Sequence, residues 1–231
     1  MSGAQWLEFA GTVNGAFLLA FSSLFSIINP VGGALIFELF TRGLAHKERA
    51  RLAAAVGRYS LLVMFGALWG GAYVLEFFGV SIEALRIAGG LVVATSGWRL
   101  LTLDDPRERK NEEQRAAAED AGDDPMQMAF FPLTLPLTTG PGTIAVAITL
   151  GAVHPPYGFG LLAFFAGASL AALANAGIIW LLYRFADRVI ERMGATARLV
   201  VVRLSAFLLM CVGVQILLTG IGDLIVKWRP V

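Results

Sequence analysis

Six apolar stretches, each long enough to cross a hydrocarbon layer, constrain this chain more than any other feature. They run from Phe9 to Phe40, Leu52 to Leu75, Ile82 to Leu103, Met126 to Val153, Tyr157 to Phe185 and Leu199 to Val226. About 20 apolar residues in a helix span a bilayer. Of the 231 residues, 57% are hydrophobic and 15% charged. A soluble domain runs nearer 45–50% apolar and about 25% charged. The sequence therefore predicts an all-α, multi-pass membrane protein. Residues Met1 to Asn14 hold no Lys or Arg, so they lack the basic flank of a cleaved signal. The first stretch is expected to be retained, with Trp6 to Asn14 tilted or at the interface.

Two of the stretches are interrupted, and the interruptions look alike. One is Asn29-Pro30-Val31-Gly32-Gly33 and the other Thr138-Thr139-Gly140-Pro141-Gly142-Thr143. Proline lacks the backbone donor, and glycine leaves the chain unconstrained. In hydrocarbon, freed backbone groups must be buried in protein or line a polar cavity. Asn29 suits an N-cap and Pro30 the first helical position; Thr139 or Gly140, followed by Pro141, repeats the pattern. Each restarted helix would point unpaired N–H groups and a positive dipole end into the membrane interior. A carboxylate is the natural guest there. The loosened carbonyls before each break would receive an ammonium or Na⁺, so the pair suits a small zwitterion. A lone proline in a span is usually a packed kink; two matched clusters point to a binding site.

Charge sets the orientation. The loop after stretch 1 carries Arg42, Lys47, Arg49 and Arg51. The connection after stretch 3 carries Arg99, Arg107, Arg109, Lys110 and Arg115. The one after stretch 5 carries Arg184, Arg188, Arg192, Arg198 and Arg203. With six spans these share one side, which is the cytoplasmic one. Loops 41–51, 104–125 and 186–198 are then cytoplasmic and both termini outside. Arg58 lies inside a span, near enough to the basic side to snorkel. Residues 104–125 form a hydrophilic linker with acids from Asp104 to Asp124, dividing a first half, 1–103, from a second, 126–231.

The halves resemble each other beyond the breaks. Arg86-Ile87-Ala88 and Leu100-Leu101-Thr102 recur 117 residues on as Arg203-Leu204-Ser205 and Leu217-Leu218-Thr219, while Pro30 recurs after 111 as Pro141. Three spans per half is an odd number, so the second copy would enter the membrane inverted. The expected architecture is six transmembrane helices in two inverted three-helix repeats, with helices 1 and 4 discontinuous. Arg86 and Arg203 read as helix-end anchors.

Polar residues within spans are few. Thr134 precedes the second break, and Thr95, Ser96, Asn175 and Gln215 are further candidates for lining a cavity; such residues also serve as interhelical hydrogen-bond partners. Small residues at Gly66 and Gly70, at Gly89 and Gly97, and at Ala163, Gly167 and Ala171 mark faces suited to close packing. Glu38, Glu76, Glu83, Asp187 and Asp223 fall near span ends or in loops, so a buried carboxylate proton relay is not expected. His46 and His154 fall in expected loops, and the single Cys211 reads as a packing residue. No catalytic set, metal cluster or phosphate loop is present in the sequence, and a net charge of +1 gives no reason for a nucleic-acid partner.

Three segments carry a family likeness: Ile28-Asn29-Pro30-Val31-Gly32, Leu85-Arg86-Ile87-Ala88-Gly89-Gly90 and Leu135-Pro136-Leu137-Thr138-Thr139-Gly140-Pro141-Gly142. They resemble the signature segments of the MarC family, which includes the SnatA amino acid transporter. The resemblance implies a six-span protein of the prokaryotic inner membrane that moves small neutral amino acids such as glycine and alanine. Taken together, the expectation is a secondary transporter with substrate-binding positions Asn29, Pro30, Gly32, Gly33, Thr138, Thr139, Gly140, Pro141, Gly142 and Thr143. It needs no cofactor, with Na⁺ as a coupling option. Its partners are the substrate, the bilayer and, as an assembly option, further copies of itself. A membrane scaffold without transport and an ion channel are the alternatives.

Overall fold

The computed structural model describes residues 12–41, 44–102, 126–153, 159–191 and 195–228, and every element among them is a helix. The order is α1 (Val13–Ile28), α2 (Pro30–Thr41), α3 (His46–Phe77), α4 (Ile82–Thr102), α5 (Ala129–Thr138), α6 (Pro141–Ala152), α7 (Phe159–Arg184), α8 (Ala186–Glu191) and α9 (Ala195–Trp228). The linker 104–125 and His154 lie outside the described residues.

Length and apolarity qualify four helices to cross a membrane: Val13–Glu38, His46–Phe77, Gly160–Arg184 and Arg203–Trp228. A fifth is added if α5 and α6, bent by 68° at Gly140, count as one span. The remaining expected span, α4, is 21 residues long but carries Glu83, Arg86 and Arg99, which lowers its apolarity below the other four. The two expected discontinuities also differ. The first is a one-residue interruption within a 26-residue apolar unit; the second is a true corner.

Packing joins elements from different halves. α1 lies along α7, α3 along α6 and α7, and α4 along α9. Small residues set the closest crossings: a Cβ on Gly167 would collide with the Val13 carbonyl, and one on Gly97 with the Met210 backbone. Gly66 and Gly70, expected to serve the same purpose, have nothing among the described residues within 4 Å of an added Cβ. The core is built from Leu24, Ile28, Phe37, Leu52, Val56, Met64, Leu133 and Ile179. Large apolar side chains on the outside, including Phe77, Trp228 and Tyr73, are more than two-thirds exposed, as a lipid-facing surface requires. Cys211 is exposed among them rather than packed.

Ion pairs close one end of the α4–α9 pair: Arg86 with Asp223, and Lys227 with Glu83 at 3.4 Å. At another end of the molecule, α3 begins earlier than expected. His46 is helical rather than in a loop, because Glu48 reaches back to the Ala45 N–H at 3.1 Å. Its Nδ1 sits 3.1 Å from Asp187 at the start of α8.

Candidate functional site

At the first break the sequence dictates the geometry. Pro30 cannot donate to the preceding turn, so α1 ends. Asn29 takes the left-handed conformation, φ 47° and ψ 62°, which asparagine tolerates better than most residues. Its side chain then does two things. Oδ1 accepts the Gly32 N–H at 3.2 Å, and Nδ2 donates to the Ser205 carbonyl at 3.3 Å. The first turn of α2 is thereby capped from within, and the break is tethered to α9.

The second break is longer and built differently. Phe131 and Leu135, each ahead of a proline, are extended at φ/ψ of −127°/124° and −108°/122°, as proline imposes on its predecessor. The turns of α5 are therefore wide, and threonine hydroxyls meet the carbonyls that a regular ladder would have used. Thr134 donates to Ala129 O at 2.6 Å, Thr138 to Leu133 O at 2.6 Å and Thr139 to Thr134 O at 3.3 Å. After Gly140 the chain restarts at Pro141 with no side chain capping α6. The N–H groups of Gly142 and Thr143 thus lack the protein partner that Gly32 has.

Both breaks line one cavity of about 660 Å³. Asn29, Gly32 and Gly33 come from the first, and Thr138, Gly140, Pro141, Gly142 and Thr143 from the second. Val92, Ser96 and Arg99 of α4 and Ser205 and Leu209 of α9 also line it, and apolar side chains such as Ile27 and Ile28 of α1 share the wall. Pro30 and Thr139 are buried behind it rather than lining it. Of the further candidates Ser96 lines the cavity; Thr134, Thr95, Asn175 and Gln215 do not. Thr134 is turned to its own backbone, and Thr95 and Asn175 likewise bond to carbonyls of the preceding turn.

Comparison with known proteins identifies the family. The pattern describing the MarC family integral membrane proteins matches residues 15–225. The chain belongs to the MarC family. It is 31% identical over 205 residues to a UPF0056 membrane protein of Methanocaldococcus jannaschii, covering 89% of this chain and 95% of that one. It is 32% identical to the UPF0056 inner membrane protein MarC of Salmonella typhimurium, covering 87% and 92%, and equally so to that of an Escherichia coli O1:K1 strain. No solved structure matches the chain. This MarC protein is accordingly a multi-pass membrane protein, as its relatives' names and its own apolar helices state.

Two residues of this MarC chain join the site unannounced by the sequence. Arg99 contributes the cavity's charged side chain, although by composition it reads as one more basic residue at a span end. Tyr183 stands behind the wall, 2% exposed, and ties the breaks together. Its hydroxyl lies 2.9 Å from Thr138 Oγ1, and its ring stacks on Phe37 with centroids 4.8 Å apart. A Cβ on Gly33 would sit under 3.0 Å from that hydroxyl. Glycine at position 33 is what lets α2 press on Tyr183. Nothing in its place near the end of a long apolar run singles Tyr183 out; only its partners on α2 and α5 identify it.

Proposed function

We propose that this MarC protein is a secondary transporter that moves small neutral amino acids, of glycine and alanine size, across the cytoplasmic membrane. One observation carries the reading: two interrupted helices, far apart in sequence, bring their breaks to a single cavity. A pair of packed kinks would leave no such space. Glycines and short polar side chains from both breaks line the cavity, and two helix N-termini give it positive potential.

The finer architecture is part of the proposal: six spans in two inverted three-helix repeats. The contact pattern supports it. Span for span, the first (α1 with α2) packs on α7 and the fourth (α5 with α6) on α3, two pairings that an exchange of the halves interconverts. The corresponding third helices, α4 and α9, pack on each other. With both termini outside, the Arg99 end of the cavity faces the cytoplasm. Alternating access then moves the α4–α9 pair against the rest of the bundle. Na⁺ remains the coupling option, since among the described residues the lining contains no Asp or Glu to relay a proton.

The test is flux. Purified protein in liposomes should exchange labelled glycine and alanine, saturably and with trans-stimulation. A scaffold would move neither, and a channel would conduct without saturating.

A further inference from the structure

We infer that this cavity reads the carboxylate of its substrate and not the amino group, so that small monocarboxylates without nitrogen also bind. The inference rests on the cavity being the substrate site. It deepens the transport reading by naming the determinant.

The two breaks are not equivalent, although their sequences look alike. At the first, the Asn29 carboxamide already fills the position an anion would take, accepting the Gly32 N–H at 3.2 Å. At the second, nothing caps α6. Thr143 is 3% exposed and lines the cavity, and its hydroxyl has no hydrogen-bond partner among the described residues. The hydroxyl opens to the cavity rather than being enclosed in protein, so it is free to donate to a guest there. Together with the N–H groups of Gly142 and Thr143 it forms three donors around one small space. An oxyanion satisfies all three.

Position fixes the depth of this subsite. A Cβ on Gly142 would fall under 3.0 Å from Val93 Cγ2, so α6 starts hard against the middle of α4. Arg99 is six residues further along α4, about 9 Å by helical rise. It lines the same cavity and has no ion-pair partner among the described residues. A cation at that end raises the local concentration of anions and favours their entry.

The amino group finds much less. Among the described residues no Asp or Glu lines the cavity. At the second break Ala129 O, Leu133 O and Thr134 O each accept from a threonine hydroxyl. An ammonium entering alone would surrender its hydration and meet a positive cavity. Within a zwitterion it is tolerated because the carboxylate is held; by itself it is not.

The experiment is binding to the full chain purified in detergent, at constant ionic strength, read by calorimetry and by shift of the unfolding midpoint. Alanine, propanoate, lactate and ethylamine are the probes. Propanoate and lactate should bind within about tenfold of alanine, while ethylamine gives no shift. Thr143→Val, which keeps the shape and removes the hydroxyl, should weaken propanoate and alanine alike by about tenfold. Arg99→Gln should weaken both by a smaller factor that shrinks further with added salt. Alanine binding without propanoate binding overturns the inference and leaves transport standing. Propanoate binding without alanine flux in liposomes supports the inference and removes the transport reading. Ethylamine competing as well as propanoate, or Thr143→Val weakening neither acid, also overturns it.

Discussion

Gly33→Ala, tested with and without Tyr183→Phe, probes the link between the two breaks directly. On an unconstrained helix the change would help, since alanine exceeds glycine by about 0.8 kcal/mol in helix propensity. Here the new methyl would sit under 3.0 Å from the Tyr183 hydroxyl, with the ring carbons Cζ and Cε1 at 3.2 and 3.4 Å. Tyr183 is fully buried, and Phe37 stacks on it at 4.8 Å, so the ring has little freedom to retreat. Overpacking of this kind costs about 1–3 kcal/mol. Displacing the hydroxyl from Thr138 loses about 1 kcal/mol more. The net expectation is destabilisation by about 1–3 kcal/mol after the helix gain is subtracted. Tyr183→Phe alone should cost about 1 kcal/mol, because Thr138 keeps its bond to Leu133 O and leaves no orphan. In the double variant the colliding atom is gone and the next contacts are tight but tolerable. Gly33→Ala should therefore be close to neutral in the Tyr183→Phe background. The assay is the unfolding midpoint in detergent, paired with labelled alanine exchange in liposomes. Strict additivity of the two changes would refute the contact; a silent Gly33→Ala would refute the packing itself.

Three further outcomes follow from the same geometry. Asn29→Ala should cost about 2–3 kcal/mol, from the lost cap and a left-handed alanine, whereas Asn29→Gly should cost about 1 kcal/mol, because glycine accepts that backbone; unfolding midpoints that fail to separate the two would count against a strained φ at this position. Gly142→Ala should stop alanine exchange by pushing α6 off Val93, and Val93→Ala should restore part of it. Burial pushes the Asp187 carboxyl up, but the Arg188 N–H, then His46, outweigh it and hold it below the ordinary range. A depressed carboxylate stabilises the fold above its unfolded pKa of about 3.9, and that contribution is lost as pH falls through the lower folded value. The unfolding midpoint of Asp187→Asn should show a smaller acid-side decline than the parent, by a modest amount because the group is partly open to solvent.

The fold was legible where hydrocarbon burial leaves few solutions. Uninterrupted apolar runs of span length have one low-energy answer, so α3, α7 and α9 appear close to where the sequence puts them, with ends displaced by capping: Glu48 extends α3 back to His46. Pro30 and Pro141 mark the breaks because proline's missing donor acts locally. What the sequence could not convey is how each break is satisfied. Asn29 reaches a carbonyl 176 positions away, and Tyr183 reaches Thr138 45 positions away; neither spacing has a periodic signature. Arg99 was hidden for a related reason. A basic residue at a span end has a sufficient topological explanation, and its presence in the cavity wall depends on α4 lying against α6. The lining candidates failed for the opposite reason: Thr95 and Thr134 satisfy themselves on the carbonyl of a nearby turn, the cheapest arrangement for a lone polar side chain inside a helix, and Asn175 donates to Ala171 O from a buried position, its Oδ1 left without a partner.

The difference between the breaks bears on how such a cavity would operate. An inverted repeat makes two similar segments, but a carrier that handles an asymmetric ion needs only one of them to bind it. Here the Asn29 carboxamide closes the first helix start and holds α9 through Ser205, so this break serves as a joint between α2 and the α4–α9 pair. The second start is left open, wedged against Val93 of α4. Motion of α4–α9 would therefore strain the Asn29–Ser205 bond and the Gly142–Val93 contact together. One is a single side-chain hydrogen bond of about 1 kcal/mol; the other is an apolar contact that can slide. Neither is strong enough to lock the bundle. The strong contacts are within the pair itself, where backbones touch at Gly90 and Gly97 and Arg86 meets Asp223. A body held firmly inside and loosely outside is the kind that moves as a unit. The elements that would move together thus come from both halves of the sequence, one helix from each.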